Sequence, residues 1–332
     1  MADTAPFTRD KRGDWRPTEP PTPTPLYDWP PRPLAVLRWL LGYPGYLLPW
    51  TLFYMALGTL TWRYLTPEIA RTRTLEPGWI AFILARNLGI LVLVVSAWHV
   101  WLYVARAQGT DYKYNERWLS KGNSTFLFNS QVLDNLFWTL LSAVPVWTAY
   151  EVLMLWGFAN GHVPQVDWRL HPIYCTLLLL AIPMWQQLHF YLIHRLLHWP
   201  PLYRALHSLH HKNVNPGPWS GLAMHPVEHL LYFSGVLIYW LIPSHPLHAI
   251  FQLQVTALVP AQGHAGFERL VINPRISLPA SDYYHYLHHK FFECNYGAER
   301  VPLDRWFGTF HDGSQASEEA LKARLRARRR GT

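Results

Sequence analysis

Fourteen of the eighteen histidines in this chain of 332 residues fall between His189 and His289. They come as HFYLIHRLLH (His189, His194, His198), HSLHH (His207, His210, His211), HPVEH (His225, His229), QGHAG (His264) and HYLHH (His285, His288, His289), with His245 and His248 between. Neutral imidazole is the commonest protein ligand for metals and suits iron, zinc and copper. Converging that many rings with nothing to bind would leave buried polar groups unsatisfied, at roughly 1–3 kcal/mol each. The count exceeds one coordination sphere, so more than one ion is expected.

Spacing supports this. Residues i, i+3 and i+4 share one helical face, so each H-x-x-H-H run and each H-x-x-x-H pair can project its imidazoles to one side. The chain holds two cysteines, Cys175 and Cys294, which excludes a disulfide framework and a cysteine-based zinc or iron–sulfur site.

What surrounds the histidines is apolar. Half the residues are hydrophobic, 18 are Trp and 18 Tyr, and 15% are charged, against roughly 25% in soluble domains. Such aromatic enrichment fits membrane interfaces. A net charge of +8 comes without any nucleic-acid recognition motif, so no nucleic-acid partner is expected. No short apolar core with a cleavage site opens the chain, and no removable signal peptide is expected.

Residues 1–33 contain PTEPPTPTP and are expected to be disordered or extended. A transmembrane stem follows over 34–188. An interfacial helix leads from Leu34 into a first span ending near Tyr64. The next spans are Trp79 to Ala105 and Leu136 to Phe158, and Pro172 to Ile193 runs straight into the first histidine motif. Each is near the roughly 20 residues that cross a bilayer. Arg86 is expected to snorkel to the interface, while Glu151 requires a partner or a wet cavity. His99 stands apart from the cluster.

Residues 189–312 form the histidine-rich domain. Within it, 230–260 is apolar but broken by Pro243, His245, Pro246 and His248, which predicts a hairpin dipping into the membrane and returning, its two histidines structural. A basic tail, 313–332, is expected to lie on anionic lipid. Four crossings put both termini on one side. Arg106, Lys113, Arg117, Lys121 and the tail KARLRARRR make that side cytoplasmic. The fold class is therefore an all-α integral membrane protein of about four transmembrane helices plus a re-entrant hairpin, capped by a cytoplasmic histidine-rich domain.

A metal centre at the membrane end of apolar helices can reach a lipid, whose C–H bonds resist hydrolytic attack. O2 activated at reduced iron is the usual means of breaking them. The donor set also fits zinc. Glu228, Asp282 and Asn295 are candidates for holding the rings' free N–H groups, or equally for capping and turns.

The run HFYLIHRLLH, then LHSLHHKNVNPGPWSGLAMHPVEH, YHYLHHKFFECNYG and LDRWFGTFHD, resembles the fatty acid hydroxylase/sterol desaturase superfamily of integral membrane di-iron enzymes, over about 172–312. The resemblance implies a four-helix stem capped by a cytoplasmic helical domain with two iron ions, for which zinc can substitute on isolation. The family's ligands carry over to His194, His198, His207, His210, His211, His285, His288 and His289, with His189 and His264 as additional ligands. His225 and His229 coordinate or support. The implied reaction is O2-dependent hydroxylation or desaturation of a fatty acyl lipid or sterol, or oxidation of a sterol methyl, at a bacterial inner membrane or endoplasmic reticulum. Electrons come from a separate donor of the cytochrome b5, ferredoxin or reductase type, since the chain has no dinucleotide fingerprint. The competing classes are a membrane metal transporter and a bis-histidine haem protein. The first is disfavoured because the histidines follow the spans, the second because it leaves the doubled H-x-x-H-H pattern unexplained.

Overall fold

Proline and glycine decide where the apolar sequence becomes long helix and where it does not. In the computed structural model, residues 7–10, 13–18, 21–297 and 300–330 are described. Among the described residues, three helices are long and apolar enough to cross a membrane: α3 (Pro77–Val104), α4 (Gln131–Ala159) and α5 (Pro172–Leu197). Pro77 and Pro172 open their helices, at first-turn positions where the missing N–H costs nothing. Only 28–39% of the most apolar stretch of each is buried. Leu93, Leu141, Ile173 and Leu177 face outward, an apolar surface suited to lipid rather than water.

The expected interfacial helix and the helix after it are separate elements, and the second is short. Residues 33–64 form a short α1 (Pro33–Leu41) and a 15-residue α2 (Trp50–Tyr64). Gly42, Pro44, Gly45 and Pro49 lie in or beside the break, where a missing donor and ring clashes stop helix propagation. At 1.5 Å per residue α2 rises about 22 Å, short of the roughly 30 Å hydrocarbon core.

Past α5, residues 200–211 continue as one irregular helix, α6, which includes a π-helical turn, Tyr203–His207. Then α7 (Pro226–Phe233) extends as a 3-10 arm, Ser234–Trp240, and α8 (Pro246–Gly263) returns. The apolar segment 230–260 is thus a hairpin, but its returning arm does not merely dip. Fourteen of the 18 residues of α8 are buried, and it packs on α2, α3, α4 and α5. Near its start His248 Nε2 bonds the Cys175 carbonyl, near the start of α5, at 2.9 Å, and at its end sits His264. This helix, of about 27 Å, is the core of the bundle. Gly221 allows it close approach, since a Cβ there would meet the Pro260 carbonyl at 2.4 Å. The hairpin turn is tied to the 159–170 loop through Val166 N–H to Ser244 O and Ser244 N–H to Pro164 O. His245 caps α8 and His248 bonds back to it, as a structural role requires.

The remaining elements are a hairpin of β3 (Arg269–Asn273) and β4 (Ile276–Pro279), then α9 (Tyr283–Phe291), α10 (Leu303–Trp306) and α11 (Gln315–Arg330).

Residues 1–33 differ from expectation. A two-stranded hairpin, β1 (Phe7–Arg9) with β2 (Trp15–Pro17), lies on the histidine-rich domain; residues 1–6, 11–12 and 19–20 lie outside the described set. Trp15 is buried against Tyr114 and Tyr283. The Asp14 carboxylate accepts from Asn115, Tyr286 and Lys290. A proline-rich segment cannot build a core of its own, but it can lay one indole into a tyrosine cluster supplied by distant chain. The basic tail α11 likewise packs inward through Leu321, with Arg324 donating to the Gly308 carbonyl.

Arg86 does not snorkel. It forms a buried ion pair with Glu151 at 2.5 Å, and Asn87 donates to the other carboxylate oxygen at 3.1 Å. This supplies the partner that Glu151 requires, because charge in a low-dielectric interior persists only when compensated. Arg86→Met or Glu151→Leu alone should each cost about 3–5 kcal/mol, and the double substitution clearly less than their sum. Unfolding in detergent checks this, and additive losses would rule the pair out as the reason for burial.

Candidate metal centre

Helical periodicity sorts the imidazoles into two groups rather than one face. Residues i and i+4 nearly align, whereas i+3 and i+4 point about 100° apart. In HSLHH, His207 and His211 accordingly go one way and His210 the other. In HYLHH, His285 and His289 pair and His288 goes the other way. The first group is His194, His198, His207, His211 and His288; the second is His210, His264, His285 and His289. Within each group one ring nitrogen per residue lies within 4.8 Å of all the others. Each H-x-x-H-H motif therefore straddles both groups, which corrects the expectation that each presents one side.

The rings are held from behind. His194 Nδ1 donates to the Tyr296 carbonyl and His288 Nδ1 to the Cys294 carbonyl, both at 2.6 Å. His264 Nδ1 donates to the Pro260 carbonyl at 2.8 Å, and His207 Nδ1 lies 2.7 Å from the Glu228 carboxylate. A proton on Nδ1 leaves Nε2 as a bare lone pair in a neutral ring. Such outer partners fix tautomer and orientation. Of the three expected holders, Glu228 meets a histidine ring, at His207 Nδ1. Asp282 caps α9 by accepting from Tyr284 and His285 N–H, and Asn295 bonds the Tyr284 and His311 carbonyls. The backbone carbonyls that take over this role carry no sequence signal.

The Nε2 atoms converge. The Nε2 atoms of His198, His211 and His288 form a triangle with 3.0–3.2 Å sides. His264 Nε2 lies 3.0 Å from His289, 3.1 Å from His285 and 3.3 Å from His210 Nε2. Protonation cannot relieve this crowding. Burial pushes His210, His211, His285, His288 and His289 well below the ordinary histidine range, and neighbouring imidazoles push them further. Burial alone brings His264 down to about 4. Buried His194 Nε2 and His207 Nε2 have no hydrogen-bond partner. A cation bound at about 2.0–2.1 Å, the usual zinc–imidazole distance, can sit over such a triangle. The donor set, all neutral nitrogen, fits iron or zinc.

Three expected ligands lie outside both groups. His229 is bonded at both nitrogens, to Ser142 Oγ and the Leu222 carbonyl, so its lone pair is already used. His225 Nδ1 accepts from Val227 N–H and caps α7. His189 bonds Ser234 through Nε2 at 3.1 Å. Five residues before His194, its ring is carried roughly 140° around α5 from that of His194.

His288→Ala should abolish retention of metal at the first group, while His229→Ala should keep metal and lose only stability. Glu228→Gln should weaken metal affinity about 10–100-fold. Metal analysis after graded chelation checks all three, and full retention in His288→Ala would overturn the grouping.

Residues 179–309 match the fatty acid hydroxylase family model. The chain is 33% identical to a Delta(7)-sterol 5(6)-desaturase of Candida glabrata, over 51% of this chain and 47% of that one. It is 37% identical to the Delta(7)-sterol 5(6)-desaturase of Saccharomyces cerevisiae, over 36% and 32%. It is 29% identical to a Delta(7)-sterol-C5(6)-desaturase of Nicotiana tabacum, over 54% and 64%. The chain thus spans less than two thirds of each of these relatives, and no solved structure matches it. With the histidine motifs in the same segment, these matches place residues 179–309 in the fatty acid hydroxylase/sterol desaturase superfamily.

Proposed function

We propose that the chain is a membrane-bound di-iron oxygenase that oxidises a C–H position of a lipid. The observation that carries this reading is the pair of adjacent, buried, neutral-nitrogen groups at the inner end of α5 and α8, inside the segment that matches the family model. His194, His198, His207, His211 and His288 would hold one iron, and His210, His264, His285 and His289 the other. Bound there, iron supplies the activation of O2 that an unreactive lipid C–H bond demands.

The protein's own part is orientation and exclusion. Carbonyls of Tyr296, Cys294 and Pro260 hold three rings by their Nδ1 protons, and Glu228 fixes His207. Burial keeps solvent protons from competing with metal for the nitrogens. The apolar outer faces of α3, α4 and α5 keep the site within reach of bilayer lipid. Electrons come from an external donor of the cytochrome b5, ferredoxin or reductase type. The basic loop 106–133 and the tail face the cytoplasm, and the histidine-rich domain with them.

Hydroxylation needs only one hydrogen placed near the metals. Desaturation is the second reading, favoured by the similarity to sterol desaturases. The purified full chain should contain two irons, show no Soret band, and convert lipid only with O2 and reductant. With labelled O2 a hydroxylated product carries the label, and an alkene without it marks desaturation. Conversion that persists without O2 or reductant would overturn both readings.

A further inference from the structure

His189 and Gln252 share a buried position that the candidate metal centre does not use. Gln252 is fully buried on α8, yet neither its Oε1 nor its Nε2 has a partner. His189, 9% exposed on α5, bonds Ser234 Oγ through Nε2. Ser234 spends its own hydroxyl proton on the Leu231 carbonyl at 2.7 Å, so the His189–Ser234 proton must sit on His189 Nε2. His189 Nδ1 is therefore a bare acceptor, and it too has no partner. Leaving these three atoms unmatched would cost roughly 1–3 kcal/mol each.

Gly235 is what brings them to one place. A Cβ there would lie 3.1 Å from His189 Nδ1 and 3.2 Å from Gln252 Nε2. An acceptor from α5 and a donor from α8 thus both lie against the same glycine of the 3-10 arm. No charged side chain bonds His189, Gln252 or Ser234 among the described residues. A neutral donor beside a neutral acceptor matches a hydroxyl, which gives one proton and takes one, and does not match a carboxylate or phosphate. The location also fits. His189 is five residues before His194, about 8 Å along α5, and Gln252 is twelve before His264, about 18 Å along α8.

We infer that His189 Nδ1 and the Gln252 amide, brought together over Gly235, bind the hydroxyl group of an uncharged lipid alcohol. This rests on the reading of the chain as a lipid oxidase and adds the polar group by which its substrate is held. His189 and Gln252 are positioning residues: they grip one end of the lipid while a carbon nearer the histidines reacts.

The test uses the metal-loaded full chain in nanodiscs. Equilibrium binding is measured for a 3β-hydroxysterol, its 3-deoxy counterpart, a long-chain primary alcohol, the matching alkane and the matching fatty acid. The native chain should prefer at least one alcohol over its deoxy partner by about tenfold or more; the alcohol that shows this identifies the source as sterol or acyl chain. Gln252→Leu, His189→Phe and, independently, Gly235→Ala should erase that preference while metal content and affinity for the deoxy compound stay unchanged. His189→Gln, which keeps an acceptor, should restore part of it. Equal binding of alcohol and deoxy partner by the native chain, or a preference that survives in both Gln252→Leu and Gly235→Ala, would overturn the inference and leave ordered water as the occupant. O2-dependent turnover on the same preparation separates the two claims. Gln252-dependent binding without turnover would sink the oxidase reading alone, and turnover without such dependence would sink this one alone.

Discussion

Nine imidazoles held with their lone pairs facing one another are the constraint to which the rest of the structure answers. Ring nitrogens 3.0–3.3 Å apart in mutual contact cannot all be matched by the one proton a neutral imidazole carries, and burial withholds further protons. The rings must therefore be gripped from outside. Carbonyls of Tyr296, Cys294 and Pro260, with the Glu228 carboxylate, do so. These come from three separate stretches of chain, so the site depends on the whole histidine-rich domain being folded. Such rigidity is what a reactive metal site needs.

Two long helices deliver three of those rings at their C-terminal ends. The last turn of α5 carries His194, and His198 caps it; His264 caps α8. The two helices do different jobs because their surroundings differ. Outward-facing leucine and isoleucine on α5 suit lipid, whereas α8 is wrapped on all sides and forms the bundle's core. Polar groups along α8 are thereby forced into pairing. Gln254 Nε2 meets Thr61 and Thr256 meets Gln186, whereas both polar atoms of Gln252 are left without a partner. The Arg86–Glu151 pair settles its own burial between α3 and α4, away from the histidines.

Helical periodicity acts twice. It places His207 with His211, and His285 with His289, and it also turns His210 and His288 into the opposite groups. Two short motifs thus cross-link two sites, and losing either helix would damage both. This also explains why His189, His225 and His229 stay outside although they lie in the same histidine-rich stretch. Their hydroxyl, amide and carbonyl partners already occupy the nitrogens, or their position on the helix carries them away from the groups.

Much was legible in the sequence alone. The histidine density, the H-x-x-H-H spacing and three apolar runs specify a mostly helical membrane protein with a histidine site, because periodicity and hydropathy are local properties; the two short β-hairpins depart from the all-α expectation. The interruption of 33–64 was also written there in Gly42, Pro44, Gly45 and Pro49, but its consequence for span length needed the helix ends. Tertiary structure alone decided the partition into groups of five and four, since that depends on how α5, α6, α8 and α9 are aimed at one another. It alone paired Glu151 with Arg86, seated Trp15 of a proline-rich segment among distant tyrosines, and buried α8 at the centre. These outcomes rest on contacts between residues far apart in sequence, and the ring-holding carbonyls belong to the backbone, which every residue shares.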